Sequence, residues 1–115
     1  MKNIISIRQL LSINDVIDRV KMMNEFAASD DLAFDFSSLQ YVKTLPAALF
    51  ARELRLLIKL RLAKGLKTYS TGHDDDKSAA LGYLAFIGFF DFIGLHDFGR
   101  KVRATAEVAG RYYKV

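Results

Sequence analysis

Residues 32–65, LAFDFSSLQYVKTLPAALFARELRLLIKLRLAKG, decide the fold, because they read as a strand, a turn and a long helix in succession. LAFDF is a short apolar run with one acid, the composition of a strand buried in a parallel sheet. Pro46 suits the first turn of a helix, where its missing N–H has no intrahelical partner to lose, and Thr44 just ahead of it reads as the N-cap. Helix formers then continue to Lys64, and Gly65 supplies the stop. At about 100° per residue, Ala47, Phe50, Ala51, Leu54, Leu57, Ile58 and Leu62 form one broad apolar face, which predicts the core side. Leu49, Leu56 and Leu60 fall nearly opposite, edged by Arg52 and Lys59 on one border and by Glu53 and Lys64 on the other. One stripe suffices to join a core. The second predicts either cover by another part of the domain or contact with a partner.

On the N-terminal side, residues 4–10 alternate loosely and predict a first strand containing Ile4, Ile5 and Ile7. Ser12 reads as a helix N-cap with Asp15 three residues on, and Ile13, Val16, Ile17, Val20, Met23 and Ala27 share one face of a helix running to about residue 28. On the C-terminal side, residues 66–71, LKTYST, predict a third strand closed by Gly72. The acids of residues 73–76, HDDD, precede a predicted helix over 77–90; Gly94, Asp97 and Gly99 then break the chain, and residues 111–115, RYYKV, suit an edge strand. This alternation predicts an α/β fold: one domain over residues 1–115, with a mainly parallel β-sheet, helices and right-handed crossovers.

The chain has 115 residues, 51% of them hydrophobic and 26% charged, which suits one globular domain and argues against disorder. With no cysteine, it has no disulfide framework, thiolate nucleophile or cysteine-ligated zinc, and a cytoplasmic setting is expected. The first apolar run is broken by Ser6, Arg8, Gln9 and Ser12, unlike the core of a signal peptide, and the longest apolar run, 79–90, is too short to cross a bilayer. The net charge of +4 permits an acidic partner or nucleic acid.

Candidate chemistry is sparse. Asp35, at the end of a predicted strand, would meet Asp74, Asp75 and Asp76 at one sheet edge and hold a cation, although aspartates ahead of a helix more often cap it. His73 and His96 sit in no ligand or catalytic spacing, and neither GxSxG, GxGxxG nor a P-loop occurs. No catalytic residue, cofactor or metal is therefore expected. The block LGYLAFIGFF reads as a core helix whose glycines permit close approach to the sheet, in preference to a lipid- or partner-binding helix. Arg52, Arg55, Lys59, Arg61, Lys64 and Lys67 outnumber Glu53 along the long helix. The alternative is accordingly a small basic α/β nucleic-acid-binding protein using Arg52, Arg55, Lys59 and Lys67, without the interleaved aromatics that stack on bases.

The run LAFDFSSLQYVKTLPAALFARELRLL, followed by GLKTYSTG and GYLAFIGFFDFIGL, resembles the STAS fold over residues 32–95, the domain of bacterial anti-sigma factor antagonists and sulfate transporter tails. Gly88, Phe89 and Phe90, then Gly94 and Leu95, and the aromatic stretch 110–115 are similar to STAS-like segments at the start of some bacterial ATP-binding proteins. The resemblance implies a non-enzymatic, regulatory protein-interaction module whose partner is a histidine-kinase-type ATPase, on the same chain or another. It also implies docking through the turn and the following helix, here Thr44, Leu45, Leu49, Arg52, Leu56, Lys59 and Leu60. Where the antagonists carry a phosphorylatable serine and a glycine, this chain has Leu45 and Pro46, so the adjacent Thr44 is the residue that a phosphorylation would use. Homo-oligomerisation is left open.

Overall fold

The computed structural model describes residues 3–72, 79–94, 100–102 and 104. Its strands are β1 (Asn3–Ser6), β2 (Gln9–Leu10), β3 (Leu32–Asp35), β4 (Tyr41–Val42) and β5 (Thr68–Thr71). Its helices are α1 (Ile13–Glu25), α2 (Thr44–Ala63), α3 (Ala79–Phe86) and α4 (Phe89–Phe92). β1, β3 and β5 form one parallel sheet with β3 in the middle, and β2 and β4 form a second parallel pair. This is the α/β architecture with a mainly parallel sheet. The expected edge strand at 111–115 lies outside the described residues.

The expected first strand is divided into β1 and β2, for a local reason. Between the Ser6–Asp35 pair and the Gln9–Tyr41 pair one strand advances three residues and the other six. The surplus forms a turn over 36–39, in which the Leu39 N–H donates to the Phe36 carbonyl at 3.1 Å. Beyond it the Gln40 and Lys43 N–H groups donate to the carbonyls of Arg8 and Leu10, so the two strands stay laced past the detour. Gly72 closes β5 against this turn with φ +93°, and a Cβ there would collide with the Ser37 backbone nitrogen. Only glycine tolerates both the dihedral and the approach.

Ser12 caps α1 as expected: the Asp15 carboxylate accepts from the Ser12 N–H at 3.0 Å and the Ser12 hydroxyl accepts from the Asp15 N–H at 3.4 Å, a reciprocal capping box. The expected core face of α1 is narrower than its pattern. Val16 and Met23 are buried and Val20 packs against them, whereas Ile13 and Ile17 are exposed. At α2 the cap is Lys43 and not Thr44, without a side-chain bond, and Pro46 is buried in the first turn. The helix ends as Gly65 predicts: with φ +76°, its N–H donates to the Leu62 carbonyl and the Leu66 N–H to the Arg61 carbonyl, the two bonds of a Schellman turn.

The core joins Ile5, Leu32, Phe34 and Phe36 to Phe50, Leu54 and Leu57 of α2 and to Phe89 and Phe90 of α4. Phe50 meets Phe34 edge-on at 6.5 Å and stacks on Phe89 at 6.3 Å, while Phe36 meets Phe90 edge-on at 5.3 Å. The helix expected over 77–90 breaks after Phe86. Gly88 has φ +82° with open space around its absent side chain, so it serves the chain reversal into α4 and not a close approach to the sheet.

Two residues of α2 exchange their expected places. Leu62 is 68% exposed and Arg61 is fully buried. The Arg61 guanidinium donates from Nε to Thr68 Oγ1 (2.9 Å), from one terminal nitrogen to the carbonyls of Ala27 (3.0 Å) and Ser29 (2.7 Å), and from the other to the Lys67 carbonyl (2.7 Å). Four of its five N–H donors thus bind acceptors on the α1–β3 loop and the entry to β5.

Replacing Arg61 by Met should cost roughly 2–4 kcal/mol in denaturant unfolding, because three carbonyls lose a charged donor. Arg61→Lys should not restore it, since an ammonium cannot span the fork. Gly72→Ala should cost about 1–3 kcal/mol by the same measurement, from strain and backbone overlap.

Candidate functional site

Of the candidate chemical residues, the described part of the chain contains Asp35 at the end of β3. Asp35 Oδ1 accepts from the Ser37 N–H at 3.0 Å and from the Thr71 hydroxyl at 3.2 Å, tying the end of β3 to the turn and to β5. Partial burial raises its pKa, but the hydrogen bonds from Ser37 and Thr71 outweigh that, and the carboxyl lies below its ordinary value. Among the described residues no cluster of three or more His, Cys, Asp or Glu could hold a metal. His73, Asp74, Asp75, Asp76 and His96 lie outside the described residues.

Of the expected docking residues, Leu45, Leu49, Arg52, Leu56, Lys59 and Leu60 share one side of α2, though not all equally, whereas Thr44 lies on the flank toward α4. Leu45, Leu56 and Leu60 are 65%, 56% and 52% exposed, and Arg52 and Lys59 are exposed beside them. Leu49 departs from the stripe, since it is half-buried and packs against the core. Leu45 compensates at the other end, because it lies on the same helical line as Leu56. Leu56 and Leu60 of the second stripe are therefore not core.

Thr44 is exposed in the first turn, and its hydroxyl lies 2.5 Å from the Tyr83 hydroxyl of α3. Because α3 belongs to a distant part of the chain, nothing in the local sequence pointed to this pair. Next to it an apolar pocket of about 300 Å³ opens between α2 and α4, where Ala47, Ala48 and Ala51 leave room opposite Ile87, Phe89 and Phe92. Three alanines at helical spacing facing GFF were the available signal, but the break at Gly88 that aims α4 at them was not visible. The Arg55 guanidinium lies 4.7 Å from the Phe92 ring centroid, so one cation of the basic set covers an aromatic ring. Arg61, another of that set, is buried in the core. No described helix is long and apolar enough to cross a membrane.

The lowered pKa of Asp35 fixes a sign. A carboxylate depressed below 3.8 contributes stability that is present above that value and lost as pH falls through the folded pKa. Asp15 acts in the same direction, held down by bonds from the Gln9 side chain and the Leu11 N–H. In urea unfolding from neutral pH to about pH 2.5, Asp35→Asn should flatten part of the acid-side loss of stability. A wild-type slope in the variant would show that the Ser37 and Thr71 bonds do not favour the charged form.

The chain matches no known protein family, no curated protein and no solved structure, so a family reading rests on the quoted residues.

Proposed function

We propose that the chain is a non-enzymatic regulatory module with a STAS-like fold, from a bacterial cytoplasm, that binds a histidine-kinase-type ATPase domain in cis or in trans. The observation that carries this reading is the exposed line of Leu45, Leu56 and Leu60, apolar in the centre, with the cations Arg52 and Lys59 along one border and the mixed pair Glu53 and Lys64 along the other. The leucines supply the buried centre of the contact, and the two cations steer an acidic partner. Thr44 stands at the entrance to the same helix, where a phosphate would break its contact with Tyr83 and lie near the positive helix end. Nucleic-acid binding is the weaker reading, because Arg61 is buried and Arg55 lies over Phe92.

Calorimetric titration against a histidine-kinase-type ATPase domain, encoded on the same chain or in the adjoining reading frame, tests the proposal. Leu56→Asp should weaken binding at least tenfold, about 1.4 kcal/mol, while leaving unfolding free energy within about 0.5 kcal/mol of wild type. No binding by the wild-type chain, or steeply salt-dependent affinity for generic DNA, would sink it.

A further inference from the structure

Ile13 and Ile17 stand one turn apart on α1 and are 55% and 44% exposed. Ile17 is about 160° round the helix from Arg19, whose guanidinium reaches the Ser6 carbonyl of β1, outermost among the described strands, at 2.8 Å. The isoleucines thus occupy the flank of α1 that turns from β1 toward α2, against which α1 packs. On α2, Leu49 and Leu60 lie roughly 100–180° round from the alanines that face α4, which places them on the flank away from α4 and toward α1. Both helices start at one level, because β2 and β4 pair in register and lead directly into them. An apolar band therefore crosses the α1–α2 groove, interrupted on the α2 flank by half-buried Glu53 and, farther along, by exposed Lys64.

Its two margins differ in charge. Beyond the isoleucines α1 exposes the acids Asp18 and Glu25, with Asn14 and Lys21 beside them; beyond the leucines α2 exposes Arg52 and Lys59. We infer that this two-helix face is the interface of a homodimer whose two-fold axis runs along the helices. That axis lays the acidic margin of each copy on the basic margin of the other and the apolar band on itself. An axis across the helices would set acid on acid, so the charges select the first arrangement. Depth agrees: Asp18 is five residues below Ile13 and Arg52 seven below Leu45, while Glu25 and Lys59 stand at twelve and fourteen.

Helices of 13 and 20 residues side by side offer roughly 500 Å² in projection, less than the about 800 Å² per partner of a standard interface. The dimer is accordingly micromolar and weakened by salt. It covers Arg52, Leu56 and Leu60, so self-association and capture of another protein by this face exclude one another. The inference does not depend on what that other protein is.

Sedimentation equilibrium of the full chain, from low micromolar to near-millimolar concentration, tests it, with circular dichroism melting to show that each variant is folded. Asp18→Lys and Arg52→Glu should each weaken the dimer about fivefold, the double variant should regain most of that loss, and Ile17→Asp should leave a monomer. A wild-type chain that stays monomeric, a dimer indifferent to Ile17→Asp, or a double reversal no better than its singles overturns the inference. The ATPase titration reads the proposed partner separately. A monomer that binds it overturns the dimer alone, and a dimer without affinity for it overturns the partner reading alone.

Discussion

A guanidinium with no exposed surface must find acceptors inside the protein, and the acceptors of Arg61 come from two separate pieces of chain: Ala27 and Ser29 before β3, and Lys67 and Thr68 at β5. Partners so far apart converge only when α1, α2 and the sheet are all in place, so this cluster couples the helical layer to the sheet. Among the described residues, no carboxylate is bonded to it. Neutral carbonyls solvate the cation, helped by its position in the last turn of α2, where the helix dipole favours positive charge. Were the same residue exposed, it would join a basic surface; buried, it leaves that surface to Arg52 and Lys59.

From this anchor the candidate surface follows by exclusion. Burying Ala47, Phe50, Leu54, Leu57 and Arg61 sets the rotation of α2, and that rotation turns Leu45, Leu56 and Leu60 outward. The flank toward α4 is occupied from Thr44 to Arg55, which is why Leu62, farther along it, has no described neighbour to bury it. The proposed contact face and a share of the core thus lie on one helix. The contacts that hold it in register also determine which leucines a partner, or a second copy, can reach.

Much of this was legible in consecutive residues. The Ser12 cap, the Gly65 stop, the buried strand at 32–35 and the outward line of Leu56 and Leu60 were readable because each depends on a few neighbouring side chains or on the 3.6-residue period. The Thr44 cap misled: α2 is capped at Lys43, and the Thr44 hydroxyl lies against that of Tyr83, 39 residues away. Ile13 and Ile17 misled because a face several residues wide looks the same whether its edge is covered or not.

By itself the sequence determined the succession of β1, α1, β3, α2 and β5, the Ser12 cap, the Gly65 stop and the existence of a second apolar stripe, since these are set by backbone propensity and periodicity within single segments. Tertiary structure decided which apolar residues lose their water, that Arg61 goes in and Leu62 stays out, that the helix after β5 breaks at Gly88, and that α1 packs beside α2. Burial is a property of what arrives from elsewhere in the chain. A side chain carries its own chemistry, but its neighbours across the fold determine whether that chemistry is used to hold the core or is left for a partner.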